Sequence, residues 1–275
     1  MKHALFLPPF GPLAEPAEVV DLAVAAEGAG WDGLFLWDHV TYRDPAGAIA
    51  DPWIVLAAVA QATTRLRLGT MVTPLPRRRP QVLARQLTSL DRLSDGRLTL
   101  GVGIGGDGYG EFSAFGDEPD ARTRGAMLDE ELDLLVRAWT GQRVEHDGEH
   151  HRVDGVTFTP TPVQQPHPPL WAAARFGSSR PLARAARLQG VFPIGLDGPD
   201  DLRTLLAELL PQRADADAPF DVCVNLLRGT TPEQWAAAGA TWCVAHVGPF
   251  RLDLDELRAI AAAPPPAWTA DPGWD

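Results

Sequence analysis

The chain of 275 residues is longer than a typical domain but has the length at which α/β barrels fold as one unit, so nothing in its length demands a division. With 45% hydrophobic and 22% charged residues, it lies far from the compositions that stay disordered. Its 24 Lys and Arg against 36 Asp and Glu give a formal charge of −12, which repels polyanions and argues against a nucleic-acid partner.

The first residues, Met-Lys-His-Ala-Leu-Phe-Leu-Pro-Pro, hold too short an apolar run for a signal peptide, and no segment approaches the roughly 18 apolar residues of a membrane span. Cys223 and Cys243 stand in apolar runs without the spacing of a zinc site or a disulfide framework. A cytoplasmic protein without a membrane partner is expected.

Short apolar runs alternate with helix-periodic stretches along the chain, the pattern of repeated βα units around a parallel sheet. The predicted strands are Ala4–Pro8, Gly33–Trp37, Leu66–Val72, Leu98–Ile104, Leu170–Ala174, Gly190–Ile194, Phe220–Leu226 and Thr241–Val247. Between them, Val19, Val20, Ala23 and Ala26 stripe the first helix, and Val82, Leu83, Gln86, Leu87, Leu90 and Leu93 the third. Met127, Leu128, Leu132, Leu135 and Trp139 mark the fourth helix, and Leu254, Leu257 and Ile260 the last. Asp51 before Pro52 and Thr231 before Pro232 read as helix caps.

The interval between Trp139 and Leu170 is too long for a bare connection. It reads as a hairpin turning at Asp147-Gly148, followed by a Pro-rich return through Pro160, Pro162, Pro166, Pro168 and Pro169. The predicted fold is therefore a (β/α)8 TIM barrel over residues 1–263, with a hairpin and Pro-rich insertion between the fourth helix and the fifth barrel strand. Residues 264–275, rich in Pro and Trp, form a C-terminal extension. A doubly wound open sheet is the rival architecture, but eight regular units favour closure.

In such barrels the chemistry sits at the C-terminal ends of the strands. Asp38 and His39 follow the second strand directly, placing an acid and an imidazole where a ligand would lie; the plainer reading is a histidine that caps the strand end. The run from Gly101 through Gly103, Gly105 and Gly106 puts backbone without Cβ atoms at the end of the fourth strand, although it is no dinucleotide fingerprint and could be a plain loop. Arg175, Gly177, Ser178 and Ser179 lead into a helix near Arg180, a natural anion site or an ordinary serine cap. Glu145, His146, Glu149, His150 and His151 suggest a metal by count, but hairpin alternation splits them between faces, so no metal is expected. Arg77, Arg78 and Arg79 read as a solvated run or as a guard for an anionic cofactor or substrate.

Together these elements resemble the bacterial-luciferase-like family of flavin-dependent monooxygenases and deazaflavin (F420)-dependent oxidoreductases. The matching stretches are Gly30 to His39, Leu68 to Thr73, Leu90-Asp-Arg-Leu-Ser-Asp-Gly-Arg97 running into Gly101 to Gly105, and Pro162 to Pro169. The resemblance implies a hydride-transferring enzyme with a small organic substrate. It implies a cofactor held by Asp38, His39, Thr70, Met71, Val72, Gly103, Gly105, Gly106, Arg175, Gly177, Ser178 and Ser179, with His39 and Asp38 as the catalytic pair. It also implies a non-proline cis peptide at Met71-Val72, and it allows a homodimer.

The Asp38-His39 pair favours F420 over flavin mononucleotide (FMN), since FMN relatives tend to have Glu-His-His there. Sugar-phosphate oxidisers in the family carry a glutamate directly after the Gly-x-Gly-x-Gly run; Gly106 stands in that place here and Asp107 follows, which argues against that substrate. The alternatives are an FMN-dependent monooxygenase that uses O2, a non-catalytic flavin-binding protein of the same fold, and a metal-dependent hydrolase barrel.

Overall fold

The computed structural model describes residues 1–250 and 252–265, so most of the proposed C-terminal extension lies outside the described residues. The first half of the chain runs β1 (Lys2–Leu7), α1 (Pro16–Ala29), β2 (Gly33–Leu36), α2 (Pro52–Ala62), β3 (Arg67–Pro74), α3 (Pro80–Leu93), β4 (Leu98–Gly103) and α4 (Ala121–Trp139). A hairpin of β5 (Arg143–Asp147) and β6 (Arg152–Thr157) follows. The second half continues with β7 (Leu170–Arg175), α5 (Ser179–Ala185), β8 (Gly190–Ile194), α6 (Pro199–Leu209), β9 (Asp221–Asn225), α7 (Pro232–Ala237), β10 (Trp242–His246) and α8 (Leu254–Ala262).

β1, β2, β3, β4, β7, β8, β9 and β10 pair in that order, all parallel, and β10 returns to β1 to close the barrel. The expected architecture is the observed one, and the strand limits fall close to those read from the sequence. β3 is the exception, continuing through Thr73 and Pro74 where the reading stopped at Val72.

Two cores result from strands buried on both faces. Ala4, Phe6, Phe35, Met71, Trp171, Phe192, Cys223, Trp242 and Val244 fill the barrel, and a larger cluster joins its outer surface to the helices. Proline opens α1, α2, α3, α6 and α7, where its missing N–H costs no helical hydrogen bond. Asp51 caps α2 by accepting from the Trp53 and Ile54 amides at 2.9 and 3.1 Å. Thr231 makes a capping box with Gln234. On α3, Leu83, Leu87 and Leu90 are buried as expected, but Val82 and Leu93 are 50% and 43% exposed, so the stripe is narrower than its apolar residues suggested.

The insertion is fastened at two places. The fully buried Asp91 carboxylate accepts from the amides of Val163 and Gln164 at 2.7 and 3.0 Å and from the Gln164 side chain at 2.7 Å. Two of the stretches that carry the family resemblance thus hold each other, away from the strand ends where chemistry sits. The hairpin is clamped to α4: His146 Nε2 lies 2.7 Å from Glu130 Oε1, Glu130 also accepts from the His150 and His151 amides, and His151 Nε2 lies 3.0 Å from Glu131. These groups are therefore structural, and among the described residues no cluster of His, Cys, Asp or Glu is arranged to hold a metal ion.

Candidate active site

At the end of β3 the ladder to β4 is regular to Thr70, slips, and resumes at Thr73. The Met71–Val72 peptide within the slip is cis, where the resemblance placed it. The glycines of β4 make room for this irregular segment: a Cβ on Gly103 would lie 2.8 Å from Val72 Cγ2. One on Gly105, whose φ is +69°, would lie 2.8 Å from the Pro74 Cβ and 2.9 Å from the Phe112 ring. Much of the Gly-rich run thus serves the protein's own packing. Gly106 differs, being exposed with nothing within 4 Å of its Cβ position.

Beside this segment lies a buried network of charges. The Asp38 side chain is fully buried; Thr73 donates to Oδ2 at 2.7 Å, and Arg78 donates to Oδ1 at 2.8 Å and to Oδ2 at 3.2 Å. Arg77 donates to the Asp38 backbone carbonyl at 2.9 Å and bridges the Asp38 and Glu111 carboxylates. Glu111, on the loop after β4, also accepts from the Val40 and Thr41 amides at 2.9 and 3.1 Å and lies 3.3 Å from His39 Nδ1. Burial pushes the Glu111 carboxyl up. The adjacent His39 ring, the Arg77 charge and the Thr41 amide together outweigh it and hold Glu111 below the ordinary glutamate range.

A layer of aromatic rings covers this network. His39 lies 5.6 Å from Trp37, 5.8 Å from Phe10 and 5.0 Å from Tyr42, centroid to centroid. Tyr42 continues to Tyr109 at 4.7 Å and to Phe250 at 6.0 Å, and Trp37 stacks on His246 at 5.3 Å.

On the other side of Val72 a cavity of about 940 Å³ opens at the ends of β3, β4, β7 and β8. Val72, Gly103, Gly105, Gly106, Ala173 and Ile194 give it apolar and bare-backbone walls, and Arg122, Arg175 and Arg180 supply cations, while Arg184 and Arg187 are paired with Asp129 in the same lining. A groove of about 900 Å³ between α2, α3 and the hairpin lies on the outer face of the helix ring, remote from the strand ends, and is not the candidate site.

The family model for luciferase-like monooxygenases matches residues 1–253. The chain belongs to this family. Among its relatives is an F420-dependent glucose-6-phosphate dehydrogenase of Nakamurella multipartita, 39% identical over 152 residues that cover 54% of this chain and 44% of the relative. The chain thus matches less than half the length of that enzyme. A monooxygenase from Streptomyces bottropensis superimposes with a TM-score of 0.69 at 28% identity over 83% of this chain and 71% of that one. The F420-dependent tetrahydromethanopterin reductase of Methanopyrus kandleri gives a TM-score of 0.75 at 16% identity over 95% and 97% of the two chains, a likeness of fold.

In this luciferase-like chain, the residues expected at the cofactor, His39 apart, separate into three groups. Val72, Gly103, Gly105, Gly106 and Arg175 line the cavity. Gly177, Ser178 and Ser179 follow β7 as a turn into α5, with Gly177 at φ +76° and no side-chain cap from Ser178. Thr70, Met71 and Asp38 lie inside. Thr70 is fully buried and shares a hydrogen bond of 2.8 Å with Thr73, Met71 packs in the barrel interior, and Asp38 is enclosed by its arginines. The side chains of these three are buried and are not part of the cavity lining.

Arg77 and Arg78 are likewise committed to Asp38 and Glu111, which corrects their reading as a free anionic guard; Arg79 alone of the three is exposed. Asp107, the acid nearest the Gly-rich run, caps the Phe112 and Ser113 amides at 2.8 and 3.0 Å. The carboxylate that reaches His39 is Glu111, which the sequence reading missed. Its signal was an acid set directly against an apolar stretch, Glu111-Phe112-Ser113-Ala114-Phe115.

Proposed function

We propose that this protein is an enzyme that binds F420 and moves a hydride between the cofactor's ring and a small organic substrate. The observation that carries the reading is the arginine-walled cavity at the ends of β3, β4, β7 and β8, β3 being the neighbour of the strand whose end bears His39. Its lining fits a flat ring with an acidic appendage. Val72, Gly103, Gly105 and Gly106 would take the ring, while Arg175, Arg180 and the turn of Gly177, Ser178 and Ser179 would take the phosphate and acidic tail. The relatives named as F420-dependent dehydrogenases support this choice. When bound, F420 supplies two-electron hydride chemistry.

The remaining work falls to this chain's own residues. With Nδ1 turned to Glu111, His39 keeps Nε2 as the nitrogen that gives or takes a proton at the substrate. Glu111 fixes the orientation of the ring, Arg77 holds Glu111, and Asp38 holds Arg77. Phe10, Trp37 and Tyr42 pack around the histidine and leave 28% of its side chain exposed.

No helix among the described residues is long and apolar enough to cross a membrane. Cys223 and Cys243 are free and buried; burial pushes the Cys223 thiol well up and the Cys243 thiol up to about 12, so both are unreactive. We place the protein in a reducing cytoplasm on this account. A homodimer belongs to the same reading, since Ile54, Val82 and Val156 are exposed along the outer groove, and sedimentation would reveal it.

Equilibrium binding of F420 and FMN side by side tests the cofactor, with F420 expected to bind more tightly. Micromolar FMN binding without detectable F420 binding would favour the second reading, an FMN-dependent monooxygenase; the likeness to the Streptomyces bottropensis enzyme supports only the monooxygenase part of that reading.

A further inference from the structure

A buried arginine stands where the two halves of the mouth meet. Arg124 lies in the first turn of α4 and is 3% exposed. That place is unfavourable for a cation twice over, because burial strips its water and the N-terminal end of a helix carries partial positive charge. The groups that hold it are backbone carbonyls and a ring face. Nε donates to Ile104 at 3.0 Å, and Nη1 donates to Glu118 and Pro119 at 3.1 and 2.5 Å. The guanidinium lies 4.3 Å from the centroid of the Phe112 ring.

These contacts span the long loop between β4 and α4 from end to end. Ile104 opens the loop and lines the cavity, Phe112 stands in its middle, and Glu118 and Pro119 lie near its close. Phe112 is fully buried and packs against Gly105, where a Cβ would lie 2.9 Å from its ring. It is also the neighbour of Glu111 in the chain, so the ring under the guanidinium fixes the backbone from which Glu111 reaches His39 Nδ1 at 3.3 Å. One side chain thus sets the cavity wall at Ile104 and Gly105 and, through Phe112, the acid behind His39.

We propose that Arg124 is a positioning residue that keeps the cavity and the Glu111–His39 pair in register. It is not itself part of the cavity lining. It acts on His39 through Phe112 and Glu111, and on the cofactor's ring through Ile104; the second of these effects rests on the proposed function. Three carbonyls and a ring face match a planar, forked guanidinium, and a lysine ammonium on its flexible stem cannot replace it.

Imidazole NMR of the full chain without cofactor, together with F420 binding followed by fluorescence quenching, tests this. The His39 signal is assigned by its loss in His39→Ala. In Arg124→Met it should move most of the way to its position in Glu111→Gln, and Arg124→Lys should move it in the same direction. Arg124→Met should add nothing further in the Glu111→Gln background, since both act on one contact. F420 affinity should fall several-fold in Arg124→Met. Leu135→Ala, which loosens α4 from its buried face, should leave the His39 signal in place and so separates positioning from a general loss of stability. Should Arg124→Met fail to fold, Phe112→Leu, which stays apolar but removes the ring face, decides by the same signal. A His39 signal unmoved in the folded variants or moved equally by Leu135→Ala, additive shifts in the double variant, or unchanged F420 affinity in Arg124→Met would overturn the proposal. If no form of the chain binds F420 while the His39 signal behaves as expected, the cofactor reading falls and the positioning role stands.

Discussion

His39 and Glu111 meet with Nδ1 3.3 Å from the carboxylate, although one follows the second barrel strand and the other ends a loop after the fourth. The same carboxylate receives Arg77 and two backbone amides of the loop that carries His39. One buried acid therefore ties together three segments of the mouth, and its removal should be felt in both catalysis and stability.

Glu111→Gln keeps the shape and the amide contacts but loses the charge opposite Arg77 and His39. Stability should fall by about 2–3 kcal/mol, the scale of a hydrogen bond to a charged group. Turnover should drop about tenfold to a hundredfold as His39 loses its orientation, with F420 affinity nearly unchanged. Because folding holds Glu111 below its ordinary range, its contribution is present above the unfolded-state value and is lost as pH falls through the folded one. Urea denaturation across the acid range should accordingly show a flatter profile for the variant. A profile parallel to that of the wild type would remove Glu111 from this role.

His39→Ala should leave the fold intact and abolish most turnover. A lost general acid or base costs about 10² to 10⁴ in rate, about 3–5 kcal/mol at the barrier, whereas lost ring contacts with Trp37 and Tyr42 cost about 1 kcal/mol of stability. Melting temperature and rate at saturating F420, taken on one preparation, separate the two. Normal turnover with a lowered melting point would reduce His39 to a strand cap, and loss of F420 binding would make it a cofactor contact.

The barrel was legible because buried parallel strands are continuous apolar runs, and eight of them recur with helical stripes between. The strand ends then led to Asp38, His39, the Gly-rich run and Arg175, since the fold dictates where chemistry can sit. What the chain order hid was partnership. Arg77 and Arg78 look like a solvated run until the barrel brings Asp38 and Glu111 beside them. Glu111 itself falls in a loop whose register to His39 no local pattern encodes. Gly103 and Gly105 looked like room for a ligand, and part of that room is filled by Val72, Pro74 and Phe112. The narrower stripe on α3 has a similar cause, because no period distinguishes an apolar residue facing the barrel from one lining an outer groove.

The clamp between the hairpin and α4 makes stability depend on pH near neutrality. The hydrogen bond to Glu131 raises the His151 value against the opposing effect of burial, while burial raises that of Glu131 more than His151 lowers it. The nearby Glu130 also faces the pair, as does His150. A raised histidine contributes stability that is present below its unfolded value of 6.5 and lost as pH rises through the folded one, and a raised glutamate acts in the same sense. Melting temperature should therefore fall as pH rises past 6.5, and His151→Gln should shrink that fall. Equal slopes for variant and wild type would show that the pair contributes nothing.

The arginines of the cavity should govern how salt affects cofactor binding. Arg175 and Arg180 are exposed at the strand ends, so their attraction for an acidic tail is long-ranged and screened over about 10 Å at 0.1 M salt. Arg175→Ala and Arg180→Ala should each weaken F420 binding several-fold at low salt and flatten its dependence on salt. FMN, which lacks the acidic tail, should respond less to either change. Arg79→Ala removes an exposed charge that does not line the cavity and serves as the control, with F420 affinity expected within about twofold. Arg77→Ala is different in kind, because it leaves Asp38 and Glu111 buried with one fewer cation and should lower the melting temperature well before it affects salt dependence. Salt titrations of F420 binding on these four variants, followed by fluorescence quenching, compare the two ends of the mouth directly. If Arg79→Ala flattens the salt dependence while Arg175→Ala and Arg180→Ala do not, the acidic tail lies toward α3 and the cavity between β4 and β7 is not its site.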